Sequence, residues 1–266
     1  MKKNLSCMAM AMVIVAGGAM TGCKGSAQLP VKGTMESAQA VGNAPQAVLD
    51  VMKHVNLDDS YETLMEDKDH GIAVYSLLKC SDEVSSEGYG MVVANGDVKT
   101  ALPNLRHGRM PRASYDAATG DLWIIGSDVE GTGVNVERPY LLRMGDDGYA
   151  SIVTSIAPYD MQQALCKSLT YSIDGQDITF YSEGNKLSTV TNHIEDMGGF
   201  MDDAIYIGEQ ISYITDGKLT VQVTPGVNFV VGKILHYDDM PTITATVTMQ
   251  DGGGFTLGDF KVATDE

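Results

Sequence analysis

The stretch Tyr89-Gly-Met-Val-Val-Ala94-Asn95-Gly96-Asp97-Val98-Lys-Thr-Ala-Leu102 decides the fold class. Asn95-Gly96 is a pair that adopts the left-handed backbone a two-residue hairpin turn requires. The apolar runs on either side have strand length and are too short for ordinary helices. The segment therefore reads as two antiparallel strands and their turn.

The same grammar extends in both directions. Upstream, Ile72–Leu78 is a continuous apolar run. Downstream, Ala113–Asp116 and Leu122–Ile125 flank a turn at 117–120, and Tyr140–Met144 and Ala150–Ile156 flank Gly145-Asp-Asp-Gly148. Further strands are predicted at Leu169–Ile173, Ile178–Tyr181, Leu187–Thr191, Ile205–Ile207, Ile211–Ile214 and Leu219–Val223. Phe229–Leu235 and Phe255–Val262 follow the same pattern, and residues 242–249 alternate as a half-buried strand does. About fourteen short strands with almost no helix make an all-β body over residues 69–266. Closely spaced hairpins separated by longer links suggest propeller-like antiparallel meanders; a β-sandwich or open barrel is the alternative. Tyr115-Asp-Ala-Ala-Thr-Gly-Asp-Leu-Trp123 is similar to the hairpin stretch of quinoprotein-type repeats. That resemblance covers nine residues and implies a propeller blade. The turn glycines at 96, 120, 148, 175, 184, 217 and 252 keep no fixed period.

The N-terminus has a different character. Lys2 and Lys3 precede the apolar run Met8–Ala16, the layout of a secretory signal. Met20-Thr-Gly-Cys23 resembles the bacterial lipobox, with Met20 where the pattern usually has Leu. The resemblance implies cleavage before Cys23, a diacylglycerol on its thiol and an acyl chain on its new amine. Residues 1–22 are then a signal peptide. Such chains anchor a protein stably, because each buried methylene contributes about 0.8 kcal/mol. Lys24, where the sorting rule places Asp for inner-membrane retention, implies the outer membrane and a periplasmic face. Residues 23–42 read as lipidated cysteine and flexible tether, rich in Gly, Ser, Ala and Gln. Residues 43–68 read as a short helical segment. Asn43 caps, Pro45 sits in the first turn, and Val48, Leu49, Met52 and Val55 share a face. A second helical turn is predicted over 58–65.

Charge and cysteines bound the function. The chain carries 18 basic and 35 acidic residues, a net of −17. Loss of Lys2 and Lys3 with the signal makes the mature net −19. That balance argues against nucleic acid, whose phosphates demand clustered Lys and Arg. With Cys7 removed and Cys23 lipidated, Cys80 and Cys166 form one candidate disulfide, or remain two buried thiols. The bridge would close a loop of about 87 residues, worth roughly 4–5 kcal/mol in the chain-entropy model.

No catalytic motif stands out. Gly131-Thr-Gly133 lacks the glycine a dinucleotide turn needs. His54, His70, His107, His193 and His236 are isolated in sequence, and no metal or other cofactor is implied. The acid pairs Asp146-Asp147, Glu195-Asp196, Asp202-Asp203 and Asp238-Asp239 sit at turns, where Asp bonds the local backbone. His107, Arg109 and Arg112 are the one local basic spot. With Tyr115 and Trp123 they are the candidate ligand-binding lip, suited to a carboxylate or sugar. The reading is a lipid-anchored, non-enzymatic binding or accessory protein with an envelope protein or glycan partner. The alternatives are a glycan hydrolase using paired carboxylates and an immunity-type or inhibitor lipoprotein. The cysteine assignment is checked by thiol alkylation and peptide mapping of the mature protein. Cys80 and Cys166 are expected to label only after reduction and to appear in one cross-linked peptide pair.

Overall fold

The computed structural model describes residues 3–4, 6–7, 32–34, 61–78, 88–102, 105, 111–131, 134–191, 200–216, 218–229, 240–250 and 253–263. In chain order the strands are β1 (Lys3–Asn4), β2 (Ser6–Cys7), β3 (Lys32–Thr34), β4 (Tyr61–Asp67), β5 (Ile72–Leu78) and β6 (Gly88–Asn95). Then come β7 (Val98–Leu102), β8 (Arg112–Asp116), β9 (Asp121–Gly131), β10 (Val134–Met144) and β11 (Ala150–Ser155). Helix α1 (Pro158–Ser168) is followed by β12 (Leu169–Asp174), β13 (Asp177–Ser182), β14 (Asn185–Thr191), β15 (Phe200–Ile207) and β16 (Gln210–Thr215). The last strands are β17 (Leu219–Val223), β18 (Gly226–Phe229), β19 (Ile243–Met249) and β20 (Phe255–Val262). The body is all-β. Its strands fall in several sheets, none closed into a barrel among the described residues.

The chain divides into two units, one built from residues 10–127 and 140–153 and the other from 1–9, 128–139 and 154–266. The first is an antiparallel meander in the order β3-β7-β6-β5-β4. Its central hairpin closes where sequence placed it, with Asn95 opposite Val98 and Gly96 left-handed at φ 56°. Val74 faces Val93 across the β5–β6 ladder. These two join Met91, Leu105, Leu122, Ile124, Leu142 and Ala150 in one buried cluster. Met91 and Val93 on β6, like Leu122 and Ile124 on β9, are two residues apart and so share a face. Burial of each such side chain stabilises by roughly 1.5–3 kcal/mol. Two polar ties hold the 145–150 turn to the meander: Asn95 Nδ2 donates to the Gly148 carbonyl at 3.0 Å, and Ala150 N–H donates to Thr100 Oγ1 at 2.8 Å.

The first unit also departs from expectation. Residues 61–67 form β4, not the end of a helical segment. Tyr61, Thr63 and Met65 pair with Leu77, Tyr75 and Val74, with a bulge between Thr63 and Met65. A short mixed segment beside an existing strand gains more by pairing with it as an edge strand than as an isolated turn of helix. Strand structure therefore extends upstream of 69, to β4 at 61–67 and to β3 at 32–34, within what reads as tether. Residues 43–60, including the predicted cap Asn43, lie outside the described residues.

The second unit contains the meander β12-β13-β14, turned at Gly175 and at Glu183-Gly184, where both residues are left-handed. Its other main sheet orders β20-β19-β17-β16 and then residues 134–139 of β10. All these neighbours are antiparallel except β10 and β16, where Asn135 and Val136 run parallel to Gln210 and Ile211. Beyond that point the Glu137 side chain continues the pairing, its Oε2 accepting the Tyr213 N–H at 2.9 Å. Burial, followed by the neighbouring Glu137 carboxylate, holds the Tyr213 phenol above its usual range, and Arg138 acts in the opposite direction.

Helix α1 went unread in the sequence. Pro158 opens it, Asp160 lies in its first turn and Lys167 in its last, each suited to its place. Met161, Leu165 and the apolar part of its inner face are buried, and Gln162 Nε2 donates to the Ile207 carbonyl at 2.5 Å.

Gly226 on β18 lies opposite Tyr206 on β15, whose buried ring covers it and whose hydroxyl donates to Glu209 at 3.0 Å. A Cβ at Gly226 would come within 2.6 Å of the Tyr206 hydroxyl oxygen. Gly226→Ala is expected to destabilise by about 1–3 kcal/mol in urea unfolding. Gly258→Ala, facing open space on β20, is expected to stay within about 0.5 kcal/mol of wild type.

Candidate functional site

The four-residue turn joining β4 to β5 is organised by one carboxylate. Asp67 Oδ1 accepts the backbone N–H groups of Asp69 and His70, each at 3.1 Å. Its Oδ2 meets His70 Nδ1 at 2.9 Å. Gly71, left-handed at φ 69°, completes the reversal, and its carbonyl accepts the Gly96 N–H at 2.8 Å. Asp67 thus fixes both the backbone of the turn and the plane of the imidazole. The His70 side chain is 48% exposed and that of Asp67 28%. The His70 side-chain bond, reinforced by the two backbone bonds, holds the Asp67 carboxyl below its usual range against the opposing effect of burial.

The imidazole stands beside Tyr115 of β8, ring centroids 5.8 Å apart and planes at 59°. Tyr115 is half-buried against the core cluster and also walls an open cavity of about 510 Å³. Met65, Glu66, Asp67, Lys68 and Asp69 line one side of it, and Ala113, Ser114 and Tyr115 the other. Lys68 Nζ lies 3.8 Å from Glu66 Oε2. His70 does not line the cavity. It contacts Asp67 and stands beside the Tyr115 ring.

Strand β8 is held in place by its hairpin to β9. Asp116 Oδ1 accepts the Ala118 N–H at 2.9 Å, its Oδ2 accepts the Thr119 hydroxyl at 3.0 Å, and Gly120 is left-handed at φ 73°. The nine-residue stretch from Tyr115 to Trp123 therefore does form a tight hairpin.

Two members of the predicted lip, Tyr115 and Trp123, are separated by the strand pleat. In the β8–β9 ladder Tyr115 pairs with Leu122, and Ser114 with Trp123. Tyr115 and Trp123 therefore point to opposite faces, because side chains alternate along a strand. Trp123 is buried at 9% exposure. Arg112 opens β8 at an exposed position, while His107 and Arg109 lie outside the described residues. Of the three described, Arg112, Tyr115 and Trp123, only Tyr115 lines the cavity, and its neighbours are the acidic β4–β5 turn and His70, a histidine isolated in sequence. The available signal was the run Asp67-Lys-Asp-His70-Gly71 between two strand patterns, an aspartate three residues ahead of a histidine in a turn closed by glycine.

Cys166 is buried on α1 and disulfide-bonded. Cys80, its predicted partner, and the lipobox residues Met20 to Cys23 lie outside the described residues. Asp147 does perform the turn role expected of it, accepting the Tyr149 N–H at 3.2 Å. Among the described residues, no group of three or more His, Cys, Asp and Glu side chains is placed to hold a metal ion.

The lowered Asp67 carboxyl has a definite pH consequence. A carboxylate that is more acidic folded than unfolded stabilises the fold above its unfolded value, about pH 4, and loses that contribution as pH falls through the folded value. The stability gap between wild type and Asp67→Asn is expected to be constant near neutrality and to shrink below about pH 4. Urea unfolding at stepped pH checks this, and a gap unchanged down to about pH 2.5 would contradict it.

No protein-family model, curated protein or solved structure matches this chain.

Proposed function

We propose that this chain is a lipid-anchored bacterial envelope protein, facing the periplasm from the outer membrane, whose all-β body is a binding module rather than an enzyme. The observation that carries the binding reading is the braced cavity between the β4–β5 turn and Tyr115. Its most organised acid, Asp67, accepts two backbone N–H groups and contacts His70, which suits a rigid wall better than a proton-transferring pair. Tyr115 offers a flat, half-buried surface beside it.

The anchor rests on the signal-like N-terminus and on Met20-Thr-Gly-Cys23. The disulfide at Cys166 favours the same compartment, because such bonds persist outside the reducing cytosol. The acidic surface keeps the body soluble and repels an anionic membrane face. The only described pairings of the leader are the short strands β1 on β12 and β2 on β15, two residues each, so its removal leaves both main sheets of that unit otherwise paired.

Cell fractionation with acyl-chain labelling tests the anchor. Wild type is expected in the outer-membrane fraction carrying label. Cys23→Ser is expected to lose the label and leave the membrane fraction. Unchanged membrane association of Cys23→Ser would overturn the proposal.

A further inference from the structure

The cavity beside Tyr115 also carries a choice of ligand class, and this step rests on the binding reading just given. We infer that it is a saccharide subsite, with Tyr115 as the stacking surface and the polar lining as partners for sugar hydroxyls. Charge decides among the alternatives. A carboxylate or phosphate ligand would face Glu66, Asp67 and Asp69 on one wall. A cationic ligand would meet Lys68 in the same lining, and two of the three carboxylates already have a nitrogen partner, Glu66 in Lys68 and Asp67 in His70. A purely apolar ligand would bury itself against a lining in which four of eight residues are charged.

A neutral polyhydroxylated ligand meets none of these objections. Each hydroxyl can donate to a carboxylate and accept from the Lys68 ammonium. The C–H face of a pyranose ring matches an aromatic face extended by Met65 and Ala113. The cavity is open rather than enclosed, so a longer sugar chain can lie across it, which favours an oligosaccharide over a free monosaccharide. His70 is a positioning residue here: it holds Asp67 and limits the tilt of the Tyr115 ring.

Calorimetry and amide-shift mapping of the detergent-purified protein test the inference. The probes are chitohexaose, cellohexaose and maltohexaose, with hexalysine and inorganic phosphate as contrasting arms. At least one oligosaccharide is expected to bind saturably, with shifts centred on 65–69 and 113–115. Tyr115→Phe is expected to keep the affinity, and Tyr115→Ala to lower it by about tenfold. Tyr115 also packs on the core, so Asp69→Ala in the exposed turn is a second variant, expected to lower affinity by about fivefold. No saturable binding of any of the three sugars, shifts centred elsewhere, or an affinity unmoved by both Tyr115→Ala and Asp69→Ala would overturn the inference. So would binding of hexalysine or phosphate in place of the sugars. A protein that remains acylated and membrane-bound through Cys23 yet binds no sugar overturns this inference alone.

Discussion

Strand register is the constraint on which the rest of this structure depends. Side chains alternate along a strand, so a slip of one residue at Gly96 would turn Met91 and Val93 out of the cluster they share with Leu122 and Ile124. The tight turns prevent that slip. Left-handed residues at Gly71, Gly96, Gly120, Gly148, Gly175 and Gly184 mark the reversals, and side chains such as Asp67, Asp116 and Asp147 lock several of them by bonding the local backbone. The site inherits its geometry from this arrangement. Tyr115 meets the cavity because Asp116 and Gly120 fix the β8–β9 turn, and Trp123 is excluded from it for the same reason.

Much of the strand order was legible because its signals are local. Ile72–Leu78, Val98–Leu102, Leu219–Val223 and Phe255–Val262 were read with the bounds they have, each from a run of strand length beside a turn. Errors arose where partnership outweighed local preference. Residues 61–67 carry a mixed pattern and become a strand through pairing with β5. Helix α1 has only Pro158 and the Met161–Leu165 spacing to announce it, inside a region where every neighbour reads as strand.

The candidate site was legible only in part. Tyr115 stood out in the sequence, but for association with His107, Arg109 and Arg112 a few residues before it. The structure sets it against a turn more than forty residues earlier in the chain. Nothing in the isolated histidines distinguished His70, since its role comes from the Asp67 bond at 2.9 Å and from a ring brought near by the fold. The acids at 66, 67 and 69 were not among the acid pairs read as turn residues, and residues 43–68 read as helical. Asp67 nonetheless builds a turn, and that turn is one wall of the cavity.

The parallel pairing of β10 with β16 bears on how the chain acquires its structure. Glu137 and the backbone it caps at Tyr213 are 76 residues apart in sequence. The hairpins can close within microseconds from residues already adjacent in the chain, but this contact must wait for a long loop to be drawn together. During synthesis Glu137 emerges well before its partner exists. By this argument the junction of β10 with β16 forms later than the hairpins β16–β17 and β19–β20 beside it. Until Tyr213 arrives, β10 can pair only with its sequence neighbours β9 and β11, and the Glu137 carboxylate, buried in the finished sheet, stays in water.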